Sequence, residues 1–399
     1  MRKKTVFLLS AALLLNACAL IQKDKHAWAE QAIETAGYQL KMMASQTDKL
    51  RGDSALFPRS VREGQIRLTD AKDWTSGFFA GALWYEYELT NDTTLLKEAR
   101  KYTDLLESIQ FYTGNHDVGF MMYCSYGNAL RLAAQAGDDT VLVNTAKSLI
   151  SRYNPVVKAI RSWDFGEWSY PVIIDNMMNL ELLFWASEHT GDPVYRDIAI
   201  AHANTTMKNH FREDMSSYHV VSYNPQNGEV ESKGTFQGYS DESAWARGQA
   251  WGLYGYTMCY RFTKNPEYLD CAKAIAKYIM HNPNTPSDLI PYWDYNAPDI
   301  PAAPRDASAA AVTASALLEL SGLATNGEAY FNYAEKILKS LSSDAYLAKK
   351  GENNGFIMMH SVGHLPANSE IDTPLIYADY YYLEAIKRYL DIVNDKSIN

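Results

Sequence analysis

The feature that most limits what this chain can fold into is a turn that returns five times. It reads Thr90-Asn91-Asp92-Thr93, Ala136-Gly137-Asp138-Asp139, Thr190-Gly191-Asp192-Pro193, Thr263-Lys264-Asn265-Pro266 and Thr325-Asn326-Gly327-Glu328. Gly or Asn can end one helix in a left-handed residue, Asp, Asn or Thr can cap the next, and Pro suits its first position. Five helix–turn–helix units follow. The second helix of a unit is amphipathic, as in the stretch from Thr93 to Ile109, whereas the first is apolar almost all round, as from Gly77 to Leu89, and is expected to be buried. The last helix, from Thr373 onward, reads as a sixth inner helix, with a helix from about Ala27 to Ala44 as its outer partner. Six inner and six outer helices predict an all-α (α/α)6 barrel. An open solenoid is the other arrangement, and the pairing of first and last helices favours closure.

If the units repeat, the inner helices all point one way and their N-termini share one end of the barrel. The long segments that lead into them carry Asp73-Trp74, His116-Asp117, Ile173-Ile174-Asp175, Asp241 to Trp251, Asp306 and Asp372, while the turns at the other end are short and plain. Loops that converge at one end form a pocket.

An aspartate just before a helix is a favoured cap, and for each of Asp73, Asp117, Asp175, Asp241, Asp306 and Asp372 taken alone that role is the plain one. Asp117 and Asp175 differ in their neighbours. Asp117 follows His116 and precedes Val118-Gly119-Phe120, and Asp175 lies among Ile173, Ile174 and Met177. Burial raises a carboxyl pKa, a helix N-terminus lowers it, and a second carboxylate raises it again. Two aspartates in an apolar pocket are therefore candidates for general acid–base work.

The stretch from Ser217 to Gln237 alternates apolar and polar residues around Asn224-Pro225-Gln226-Asn227-Gly228, so it predicts a β-hairpin over the barrel mouth. Around it, His219 and Gln237 can hydrogen-bond, Trp245 can stack, and Arg247 can meet a carboxylate in bidentate fashion. Arg247 can equally pair with Asp241 or Glu242, and His219 can simply face solvent.

Outside this frame, residues 1–17 read as an export signal: Arg2, Lys3 and Lys4 precede an apolar run from Val6 to Leu15 that is too short for a permanent span. Leu15-Asn16-Ala17-Cys18 resembles a bacterial lipobox. It implies a lipid on Cys18, a tether over 18–25, one catalytic domain over 26–395, and a periplasmic or outer-membrane-associated location; an ordinary cleaved signal is the alternative. Cys124, Cys259 and Cys271 remain, an odd number that implies no disulfide framework. No metal motif and no phosphate-binding glycine loop is present, so no metal or organic cofactor is expected. A net charge of −10 argues against nucleic acid as a partner, and 28 Tyr with nine Trp supply both core and sugar-stacking surface. A monomer is expected.

Four segments together carry a family resemblance: His116-Asp117-Val118-Gly119-Phe120, Ile173 to Leu180, Phe236 to Tyr256, and Ser369 to Ala385. They resemble the unsaturated glucuronyl hydrolases, glycoside hydrolase family 88, in order along essentially the whole chain after the signal. The resemblance implies a hydrolase that removes the non-reducing 4,5-unsaturated uronate from lyase-generated oligosaccharides. It implies Asp175 as the acid that protonates C4 of the enol ether and activates water for C5, with Asp117 as its partner. It further implies a uronate subsite of His116, His219, Gln237, Arg247, Trp245 and Trp74, and Ser361 near the second sugar; Trp163 and Trp168 are weaker stacking candidates. The loop from His360 to Glu370 departs from the Ser-rich, Lys-bearing form of sulfate-preferring members by having His364 and Pro366. The chondroitin, hyaluronan and heparin types all remain open. Alternatives are an unsaturated rhamnogalacturonyl hydrolase, an epimerase, which would need paired histidines, and a noncatalytic glycan-binding lipoprotein.

Overall fold

The protein is described by a computed structural model covering residues 26–395; Cys18 and residues 1–17, read above as an expected export signal, lie outside these residues. The chain begins with α1 (Ala27–Leu50) and a hairpin of β1 (Phe57–Arg62) and β2 (Gln65–Thr69). The helical units follow: α2 (Ser76–Thr90) with α3 (Thr93–Asp104), then α4 (Val118–Met122), a π-helical turn at Tyr123–Gly127 and α5 (Asn128–Ala133) with α6 (Asp138–Ile150). Short strands β3 (Tyr153–Asn154), β4 (Ala159–Ile160) and β5 (Pro171–Ile173) lead to a 3-10 turn at Ile174–Asn179, α7 (Leu180–Thr190) and α8 (Pro193–Asn209). Strands β6 (Val220–Tyr223) and β7 (Val230–Gly234) precede α9 (Ala246–Thr263) with α10 (Pro266–Met280). The chain closes with α11 (Ala307–Leu323), α12 (Gly327–Leu341) and α13 (Ile376–Val393).

The inner helices are α2, α4–α5, α7, α9, α11 and α13. Each packs on the next, and α13 lies between α11 and α2, so the ring is closed, as the repeat predicts. Their burial is continuous: every residue from Ser76 to Glu86 and from Ala307 to Leu320 is buried. A helix without a polar face must be covered on all sides, and a closed ring inside an outer layer does this. Most of the turns behave as expected. Asp92, Asp192 and Asn265 accept from the backbone N–H two residues on, and Asn91 and Gly191 end their helices with positive φ. At the fourth turn Lys264, not Asn265, takes the left-handed position, which leaves Asn265 free to cap. The fifth differs, since Ala324 is extended and Asn326 makes no side-chain cap.

The outer partner of α13 is less simple than expected. Helix α1 reaches α13 through His26, whose Nδ1 lies 2.8 Å from the Tyr389 hydroxyl, and through Trp28 on the Tyr389 ring, but it also packs along α2. There Gly37 faces Glu86, with the carboxylate oxygen 2.8 Å from where a Cβ would stand. Glu86 is fully buried and neither of its oxygens has a partner, so burial pushes its carboxyl up to about 8.

The mouth holds more strand than the sequence predicts. The hairpin of β6 and β7 is present, but β5 joins it as a third antiparallel strand, with Pro171 opposite Ser222 and Ile173 opposite Val220. Strand β1 also bridges to the start of α13, Ser60 against Leu375.

Glu86 yields a stability prediction. Its folded pKa is raised, so it costs nothing where both states are protonated. The cost grows as pH rises above about 4.5, where the unfolded chain ionises, and levels off above about 8. Glu86→Gln is therefore expected to melt near the wild type at about pH 4.5 and several degrees above it at about pH 8, a gap on the order of a few kcal/mol. A wild-type-to-variant gap that is the same at both pH values contradicts this.

Candidate active site

The N-terminal ends of the inner helices surround a cavity of about 260 Å³. That lies slightly below the roughly 300–1,000 Å³ of common small-molecule pockets, a size suited to the end unit of a chain. Asp117, Asp175, His116, Gln237 and Trp74 line it, with Trp163, Phe165 and Phe236 forming an aromatic side wall.

The strand register builds one half of the site. Pairing β5 with β6 brings Ile174 against His219, the Ile174 N–H donating to the His219 carbonyl at 3.0 Å, so the next residue, Asp175, meets the imidazole. Its Oδ2 lies 3.5 Å from His219 Nε2. The return of the hairpin completes the arrangement: the N–H groups of Phe236 and Gln237 both donate to His219 Nδ1, each at 3.1 Å. Backbone N–H groups can only donate, so Nδ1 is the acceptor and Nε2 carries the proton toward Asp175. A one-residue slip of this sheet would turn the side chains to the opposite face.

The other half follows the same logic. Asn179 Oδ1 accepts the Phe120 N–H at 2.9 Å, which fixes its amide and leaves Nδ2 to face His116 Nδ1 at 3.4 Å and Asn176 Oδ1 at 3.3 Å. His116 Nε2 lies 3.0 Å from Asp117 Oδ1. Each aspartate therefore has its own histidine of fixed tautomer. Neither is a cap: Asp117 and Asp175 make no capping hydrogen bond, and Asp175 Oδ2 has no hydrogen-bond partner although it is buried.

Of the six aspartates, only Asp306 caps its inner helix, accepting from Ser308 N at 3.0 Å. Asp73 accepts the Thr75 N–H and hydroxyl and pairs with Arg59. Asp241 accepts from Thr235 N, and Asp372 pairs with His360.

Arg247 does not reach the cavity and pairs with neither Asp241 nor Glu242. It is fully buried, and its guanidinium donates to Asp306 Oδ2 at 3.0 Å, to the Val362 carbonyl, and to the Gly363 carbonyl at 2.7 Å. Trp245 also stands behind the wall, between His219 at 4.6 Å and the Arg247 guanidinium at 4.5 Å, so its role is to back the imidazole. Ser361 is fully buried outside the lining, and its backbone pairs with Thr373. Trp168 contacts Trp163 and Phe236 edge-on.

Sequence reasoning missed Phe78, Trp251 and Tyr381, which line the cavity from α2, α9 and α13. It also missed Arg59, Glu370 and the lining role of His364. No group of three His, Cys, Asp or Glu among the described residues could hold a metal ion.

The chain matches the Glycosyl Hydrolase Family 88 model over residues 56–391. It is 49% identical over 345 residues to an unsaturated glucuronyl hydrolase of Formosa agariphila, covering 84% of this chain and 85% of that one. A solved unsaturated glucuronyl hydrolase specific for heparin superposes with a TM-score of 0.89 at 52% identity, covering 94% of this chain and all of that one. An unsaturated glucuronyl hydrolase variant from Streptococcus agalactiae, solved in complex with dGlcA-GalNAc6S, gives a TM-score of 0.75 at 29% identity, covering 90% and 91%.

The buried pair of Arg247 with Asp306 predicts a structural phenotype. Arg247→Ala leaves the Asp306 charge uncompensated and should cost about 3–5 kcal/mol, read as a clear fall in melting temperature. A melting temperature equal to the wild type would return Arg247 to a substrate-facing role.

Proposed function

The chain belongs to glycosyl hydrolase family 88, and from that membership we infer a hydrolase that removes the 4,5-unsaturated uronate from the non-reducing end of lyase-generated, glycosaminoglycan-type oligosaccharides. We propose that Asp175 gives its proton to C4 of the enol ether while water adds its oxygen to C5. The water's surplus proton returns to the carboxylate, so the acid is regenerated. The C5 hemiketal then opens and releases the next sugar. The usual link between carboxylate separation and anomeric outcome does not apply, because the anomeric carbon is not attacked.

One observation carries this reading: Asp175 Oδ2 is buried and free of any hydrogen-bond partner, and Asp175 lines the cavity with that oxygen 3.5 Å from His219 Nε2. A carboxyl so placed is held without being engaged, as a group that exchanges a proton with substrate must be. The separate His116–Asp117 pair supports Asp117 as the second polar anchor for the sugar. Each histidine is tied to its own aspartate, which favours this chemistry over one needing two facing histidines. The aromatic side wall of Trp163, Phe165 and Phe236 suits the apolar face of the next sugar.

Asp175→Asn is expected to lower kcat by a factor of about a thousand or more while melting within a few degrees of the wild type, since it preserves volume and removes no cap. Ultraviolet absorbance of the conjugated uronate follows the reaction. Turnover near the wild-type rate would mean that another group donates the proton.

We also infer a lipid on Cys18, supported by the Leu15-Asn16-Ala17-Cys18 sequence, which tethers the enzyme to a membrane after export. Metabolic labelling with a tagged fatty acid should mark the wild type and not Cys18→Ala; an unlabelled wild type would indicate a plain cleaved signal.

A further inference from the structure

We propose that Arg59 is the oxyanion receptor of this cavity, its unengaged N–H groups taking a carboxylate or sulfate of the substrate. This role rests on the hydrolase reading. Among the described residues that line the cavity, Arg59 is the one arginine or lysine. Such a receptor is needed because the substrate is an anion, the chain carries a net charge of −10, and Asp117, Asp175 and Glu370 stand in the same wall. Arg247 cannot serve, being sealed behind the wall on Asp306 and two carbonyls.

A guanidinium has five N–H groups in one plane. Three of these are engaged: Nε donates to Glu370 Oε1 at 2.8 Å, Nη2 to Glu370 Oε2 at 2.9 Å, and Nη1 to Asp73 Oδ2 at 2.6 Å. Two remain, one on each terminal nitrogen. The fork is locked by these bonds and by the Trp74 face, 5.7 Å away, so little ordering is left to be done on binding. Glu370 is itself held by Ser60 and Arg67, and it sits at a φ of 56°. A non-glycine residue keeps that conformation only when its surroundings impose it, and such residues gather at binding sites. Asp73, Glu370, Arg59 and Arg67 sum to no net charge, so recognition comes from hydrogen bonding to the free N–H groups of a residue that lines the cavity rather than from a positive field.

The test uses the intact enzyme and the unsaturated chondroitin or heparin disaccharide, whichever the wild type turns over, unsulfated and 6-sulfated, followed by absorbance. Arg59→Lys retains the charge and loses the fork. It should raise KM about tenfold or more with a much smaller change in kcat, and Arg59→Gln gives the same comparison if the lysine variant fails to fold. A rise on both substrates identifies the uronate carboxylate as the group received; a rise on the 6-sulfated substrate alone identifies the sulfate. Arg62→Gln removes an exposed guanidinium at the end of the same strand, outside the cavity lining, and should keep the wild-type KM. An unchanged KM in both Arg59 variants, or an equal rise in Arg62→Gln, overturns the proposal. A wild type that leaves the absorbance of the chondroitin, hyaluronan and heparin disaccharides all unchanged is the distinct result that sinks the hydrolase reading itself.

Discussion

Everything about this site follows from one constraint: six helices without a polar face must be buried on all sides. A ring of inner helices inside an outer layer satisfies it, and short turns between inner and outer members make every inner helix run the same way. The long connections are then left at one end. Polar and charged residues excluded from the inner helices collect in those connections, and the cavity forms where they meet. The site is a consequence of how the apolar helices are covered.

Within that frame, a small sheet does the fine positioning. Three antiparallel strands set Asp175 against His219 and return Gln237 to the same place. The tautomer of His219 is decided by two backbone N–H groups, and that of His116 by an amide oriented through Phe120. Both carboxylates thus sit beside an imidazole nitrogen whose position is set by the fold. Behind them stands a layer of Trp245, Arg247 and Asp306 that never reaches the cavity. Such backing limits how far the imidazole can tilt, and a catalytic group needs its support held to within fractions of an ångström.

Much of this was legible in the sequence, for physical reasons. The recurring turns and all-round apolar helices declare the closed ring, and an aspartate among isoleucines declares Asp175. Sequence position does not reveal which side of a wall a residue faces. Arg247 and Trp245 stand two residues apart near the lead-in to α9, and both point behind the site. Asp306, one of six similar candidates, is the only true cap because its neighbour Ser308 also hydrogen-bonds it. Arg59 and Glu370 were not legible, being some 310 residues apart with no periodicity linking them. The strand of β5 was hidden as well, since three residues give no alternation to read.

The proposed chemistry turns on delivery of a proton to C4 of an enol ether. Running the reaction in D2O and following it by proton NMR tests this most directly. The vinyl C4 proton signal should disappear as the product forms, and C4 should gain one deuterium on a single face. A first-formed product that has lost its partner sugar but retains the vinyl proton would contradict it.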